Sequence, residues 1–154
     1  MRLLVDVMCG GVVAYLRMCG HDTLYAGDHD LEADEEILAL ARADERTIVT
    51  RDTELATRAD DAVLLTTLDT EDQLEELLRA GVELELSAEP TRCGVCNGRL
   101  GRVDRHEQTP DYAPDPEETT RWTCRDCGQY FWRGSHWDRV RETIDEVRMT
   151  VQDQ

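Results

Sequence analysis

The chain contains no lysine. All 17 of its basic residues are arginines, set against 34 aspartates and glutamates, for a formal net charge of −17. A surface that grips nucleic acid through its general field is basic, and this one is the reverse. The acids read instead as a solvation device spread over the whole surface, the pattern expected of a halophilic proteome. In molar salt the Debye length shrinks to ~3 Å, so such charge stops repelling at range. Net charge therefore says little about partners, and any single acid is weak support for catalysis.

Aromatic residues are scarce, at 5%, and all three tryptophans (Trp122, Trp132, Trp137) lie in the last third of the 154 residues. That asymmetry suggests two regions built on different principles. Long apolar runs are missing too. Nothing approaches the ~18 consecutive apolar residues of a membrane span, and no charged-then-apolar signal opens the chain. A cytoplasmic protein without membrane contact is the expectation. In that setting six cysteines argue against a disulfide framework. Cys9 and Cys19, with apolar neighbours, read as small core residues.

What is present in residues 1–88 is an alternation of strands and helices. Leu3-Leu4-Val5 reads as a buried strand ending at Asp6. A helix with Val12, Val13 and Leu16 on one face follows, stopped at Gly20. Thr23-Leu24-Tyr25 is a second strand and Asp28 to Ala33 a polar loop. Asp34 stands where an N-cap belongs, before a helix carrying Ile37, Leu38 and Ala41. Thr47-Ile48-Val49-Thr50 is a third strand, with Arg51-Asp52 at its end and a short helix over Glu54 to Arg58. A fourth strand, Ala62 to Thr66, precedes a helix from Asp69 to Arg79. Val82 to Leu86 alternates as an edge strand would. The order predicts an α/β fold with a mostly parallel sheet flanked by helices.

The composition shifts around Ser87 to Pro90, so residues 89–154 read as a second unit. Cys93/Cys96 and Cys124/Cys127 form two Cys-x-x-Cys pairs. Two residues between cysteines let both thiolates of one turn reach a tetrahedral ion at ~2.3 Å. A redox dithiol does not explain two matched pairs. Iron fits the same ligands, but zinc better suits a closed structural site. Gly94 and Gly128 sit where amide-to-sulfur turns favour glycine. Tyr112 to Glu118 reads as an exposed loop, and Trp137 to about Val151 as a C-terminal helix with Val140, Ile144 and Val147 on one face.

In open α/β sheets, sites form beyond the carboxyl ends of the strands. Asp6, Asp52 and Asp69 follow strands one, three and four, and Asp34 and Glu35 open the helix after strand two. Such a cluster of hard oxygen ligands suits Mg²⁺ or Mn²⁺ and phosphodiester chemistry. The bland reading is that Asp34 and Asp69 are helix caps and that an acidic chain leaves carboxylates near strand ends by accident. Around the second knuckle Trp132, Arg133 and His136 mix cations with aromatics. They either stack on RNA bases or seal a ribbon too small for its own core.

The stretches LLVDVMCGGVVAYLRMCGHDTLY, DEEILALA, IVTRD and RCGVCNGRL…WTCRDCGQYFWRGSHW resemble the PIN-like ribonuclease family of the mutator-seven C-terminal domain type. In that family a PIN-like domain is joined to a zinc ribbon. The resemblance spans nearly the whole chain. It implies a divalent-metal endoribonuclease with structural zinc, the metal held by Asp6, Asp34 (with Glu35 beside it) and Asp52. It makes Arg51 the natural phosphate contact beside that metal, and Arg17 also matches the pattern as an RNA-binding candidate. The family often carries basic residues near the positions of Gly11 and Ala14, which are uncharged here. RNA is the implied partner, with a homodimer a further expectation. The competing expectation is a non-catalytic RNA- or protein-binding adaptor with an inactive PIN-like part.

Overall fold

The computed structural model describes residues 1–31, 33–104, 106–113 and 119–153. Four parallel strands, β1 (Arg2–Val5), β2 (Asp22–Tyr25), β3 (Thr47–Thr50) and β4 (Ala62–Leu64), form a sheet in the order β2-β1-β3-β4. Between them run α1 (Val13–Met18), preceded by a 3₁₀ segment over Val7–Val12, then α2 (Asp34–Asp44) and α3 (Thr53–Arg58). The helix α4 (Thr70–Arg79) follows β4.

Strand side chains alternate between the two faces, which splits the core in two. Leu3, Val5 and Val49 pack with Val12, Leu16, Leu74 and Leu77 on one side. Leu4 and Ile48 pack with Ile37, Leu38, Ala41 and Leu55 on the other. The α/β architecture expected from the alternation is the one observed.

The expected fifth strand is absent. Val82 and Leu84 are buried, as their alternation demanded, but no ladder forms there. The backbone is spent on other partners instead. His21 Nε2 meets the Glu83 carbonyl at 2.6 Å, and the Val82 amide closes back on the Leu77 carbonyl at 3.0 Å.

Beyond α4 a three-stranded antiparallel sheet forms from β5 (Leu100–Arg102), β6 (Arg121–Cys124) and β7 (Tyr130–Trp132). It leads into α5 (Ser135–Gln152), which begins two residues earlier than its apolar stripe suggests. Val140, Ile144 and Val147 of α5 return to the core shared by β1, α1 and α4. The ribbon is thus inserted, in sequence, between two helices that pack on each other in one core. The loop expected over Tyr112 to Glu118 falls partly on residues 114–118, outside the described residues. No helix among the described residues is long and apolar enough to cross a membrane.

Candidate active site and metal centre

The strand order reverses between β1 and β3: from β1 the chain moves to β2 on one flank, then crosses to β3 on the other. A crevice opens beyond the carboxyl ends at such a switch point. Asp6 follows β1 there, and Arg51 and Asp52 follow β3. Thr50, the last residue of β3 and fully buried, ties the two sides together. Its hydroxyl donates to Asp6 Oδ2 at 2.8 Å and accepts the Asp52 amide at 3.0 Å. Asp6 is itself buried, and its Oδ1 accepts the Val7 amide at 2.8 Å. Asp52 caps α3 through Oδ1, which takes the amides of Glu54 and Leu55 at 2.9 and 3.2 Å. Among the described residues its Oδ2 makes no hydrogen bond. The Nε of the preceding residue, Arg51, is buried and without a hydrogen-bond partner among the described residues.

The remaining strand-end acids lie differently. Asp34 was expected as an N-cap, but Ala33 holds that position and Asp34 is already helical. An acid in the first turn still gains from the positive helix end. Asp34 and Glu35 both face Arg58, at 3.9 and 3.2 Å. Asp69 caps α4 as expected, with Oδ1 accepting from Glu71 and Asp72. Among the described residues the carboxylates form no group of three whose ligand oxygens come as close together as the cysteine sulfurs do.

The sulfurs of Cys93, Cys96, Cys124 and Cys127 all lie within 4.8 Å of one another. Cys93–Cys127 and Cys96–Cys124 stand 3.7 and 3.4 Å apart, close to the ~3.8 Å edge of a tetrahedron with 2.3 Å metal–sulfur bonds. The amides of Val95, Asp126 and Cys127 point at the cysteine sulfurs at 3.4 Å. The Asp126 and Cys127 amides, together with neighbouring thiols, bring Cys124 down to about 7 against the upward push of burial. Burial raises Cys93 to about 12. The four can hold one zinc ion, which would remove the competition by ionising all of them.

Gly128 has the positive φ expected of its knuckle, at 78°, whereas Gly94 occupies ordinary backbone with open space beside it. The glycine the site requires is Gly98. A Cβ there would meet Cys124 Sγ at 2.7 Å and Asp126 Oδ2 at 2.6 Å.

The Mut7-C RNAse domain family matches residues 1–144. The chain belongs to that family. No curated protein and no solved structure gives a match. The Mut7-C assignment agrees with the resemblance carried by the motifs, and an RNAse domain points to RNA as the substrate class.

Within this Mut7-C chain Arg17 corrects one expectation. It is only 3% exposed, and its donors are taken up inside the protein. Nε donates to the Thr23 carbonyl at 2.9 Å, and Nη1 to the carbonyls of Gly94 and Val95 at 3.2 and 3.1 Å. Nη2 faces the Asp28 carboxylate at 3.8 Å, so the guanidinium is occupied within the protein and clamps the first knuckle onto the sheet. Asn97 completes the clamp. Its Oδ1 accepts the Thr23 amide at 2.9 Å and its Nδ2 donates to Asp22 at 2.8 Å.

Arg121 is also fully buried, as a seal of the ribbon, and donates to the Thr109 hydroxyl. Arg133 and His136, by contrast, are exposed, and Trp132 is half-buried. Cys9 is a core residue whose thiol burial raises to about 11.

Thr50 and Asn97 were not anticipated as site residues. The available signal was chemical: a hydroxyl in a fully buried strand, or an amide beside a knuckle, needs a partner.

Proposed function

We propose that this Mut7-C protein is a metal-dependent endoribonuclease, with Asp6, Asp34 and Asp52 as the ligands of Mg²⁺ or Mn²⁺ and the zinc ribbon aiding RNA binding. The observation that carries the reading is the Asp6–Thr50–Asp52 linkage across the β1/β3 crevice. Thr50 fixes one carboxylate and the backbone of the other, so both are held before substrate arrives. The donor set fits: carboxylate oxygens are hard ligands, and among the described residues Asp52 Oδ2 makes no hydrogen bond. When bound, the metal supplies an activated water and neutralises charge on the phosphodiester. Arg51 Nε, buried and unpartnered among the described residues, would donate to a non-bridging phosphate oxygen. Arg58 would hold Asp34 and Glu35 in place. Trp132, Arg133 and His136 offer stacking and phosphate contact on the ribbon.

The test is cleavage of single-stranded RNA in Mn²⁺ by the wild-type chain and by Asp52→Asn. Loss of cleavage with fold and zinc content intact supports the proposal; equal rates sink it. A second reading, a non-catalytic adaptor, draws on the absence of a close carboxylate group among the described residues. It predicts no Mn²⁺ binding at the strand ends and RNA affinity that depends on Arg133 alone.

A further inference from the structure

A cavity of about 350 Å³ lies away from the strand-end acids, at the seam between α1, the first knuckle, β7 and the first turn of α5. Its lining departs sharply from the composition of the chain. All three tryptophans, the single phenylalanine and Tyr130 line it. Although Asp and Glu make up 34 of 154 residues, none lines the cavity among the described residues, while Arg92, Arg133 and His136 do. A sequence that spends acids everywhere else has excluded them here and concentrated its aromatic rings.

Aromatic walls with cations at hand suit a planar ring carrying an anionic tail. Base–aromatic stacking is tolerant of sequence because every base has a π-face, and arginine adds phosphate contact. Arg133 is exposed and lies 5.6 Å from the centre of the Trp122 ring. Arg92 is already paired with Asp22 at 3.5 Å, so Arg133 is the cation available to a ligand. Trp122 is buried to 2% exposure, with its Nε1 donating to Glu89 at 3.2 Å, and forms a rigid wall.

We propose that this cavity is a nucleotide pocket that receives one unstacked base of single-stranded RNA, with Arg133 on its phosphate. The proposal rests on the ribonuclease reading only for the choice of RNA over another anionic aromatic ligand. It deepens that reading by setting the substrate class: a strand whose bases can be splayed out, not a duplex, whose bases are stacked and paired.

Because every tryptophan of the chain lines the cavity, intrinsic fluorescence reports its occupancy directly. The experiment titrates the full zinc-bound chain, without added Mg²⁺ or Mn²⁺, with an oligouridylate of about a dozen nucleotides. The same oligonucleotide annealed to oligoadenylate and a polyglutamate peptide are titrated alongside. The expected result is saturable quenching by the single strand, little by the duplex and none by the peptide. Arg133→Ala and Trp137→Ala should each weaken binding by about tenfold. Arg133 is exposed, so its variant keeps the test valid even if Trp137→Ala loses zinc.

Absence of quenching, equal quenching by duplex, or unchanged affinity in Arg133→Ala overturns the pocket. Saturable quenching by polyglutamate also overturns it and assigns the cavity to an acidic protein segment. The ribonuclease reading fails separately. If wild type quenches but never cleaves, the pocket stands and the nuclease does not; cleavage without quenching is the converse.

Discussion

The hydroxyl of Thr50 donates to the carboxylate of Asp6 at 2.8 Å, across the boundary where the strand order reverses. The same oxygen accepts the amide of Asp52 at 3.0 Å, so one buried side chain sets the geometry of both candidate ligands. Thr50→Val removes the hydroxyl at nearly constant shape and leaves Asp6 Oδ2 short of a donor. Stability should fall by about 1–3 kcal/mol. Cleavage should fall further than stability accounts for, because Asp6 loses its orientation. Thermal melts and cleavage rates on the same preparation check this; a variant that melts and cleaves like wild type contradicts the linkage.

Arg17 is the second structural prediction. Arg17→Met strips donors from the carbonyls of Thr23, Gly94 and Val95 at one stroke. The expected cost is about 2–4 kcal/mol, together with faster release of zinc to a chromogenic chelator. If Arg17 instead held RNA, the variant would keep its stability and zinc and lose only affinity.

The expected pH dependence follows from His21. Burial holds its imidazole below the ordinary value of 6.5, so the unfolded chain binds the extra proton and stability rises with pH. The contribution is complete above the unfolded value and is lost as pH falls below it. The melting temperature should therefore drop between about pH 7.5 and about pH 5.5. His21→Gln, which can keep a bond to the Glu83 carbonyl, should flatten that slope. An unchanged slope would assign the acid sensitivity elsewhere, for instance to the zinc thiolates.

Salt should stabilise this chain. With a net charge of −17, self-repulsion opposes the compact state until it is screened. Raising KCl from about 0.1 M to about 2 M should raise the melting temperature. A flat or falling curve would remove the halophilic interpretation of the missing lysines.

The sequence made the alternating core legible because β1 and β3 are short apolar runs and the helices carry clear stripes. Leu3/Leu4 and Ile48/Val49 divide between two faces as strand geometry requires. The Cys₄ centre was legible because its spacing encodes its geometry. Val82 to Leu86 misled because period-two burial does not require a ladder; His21 takes the Glu83 carbonyl from the side instead. Arg17 misled for a related reason. An arginine in a matching motif carries a charge on paper, but only packing reveals that its donors are enclosed. The Thr50 bridge, Gly98 and the aromatic cavity join residues far apart in the chain, and no local pattern announces such meetings.

The proposed chemistry depends on a metal held by Asp6 and Asp52 at the β1/β3 crevice. The most direct measurement is an anomalous difference map from crystals of the full chain soaked in Mn²⁺, with data at the manganese and zinc edges. The expected map has a zinc peak among Cys93, Cys96, Cys124 and Cys127 and a manganese peak near Asp6 and Asp52, lost in Asp52→Asn. A zinc peak with no manganese at the strand ends would contradict it.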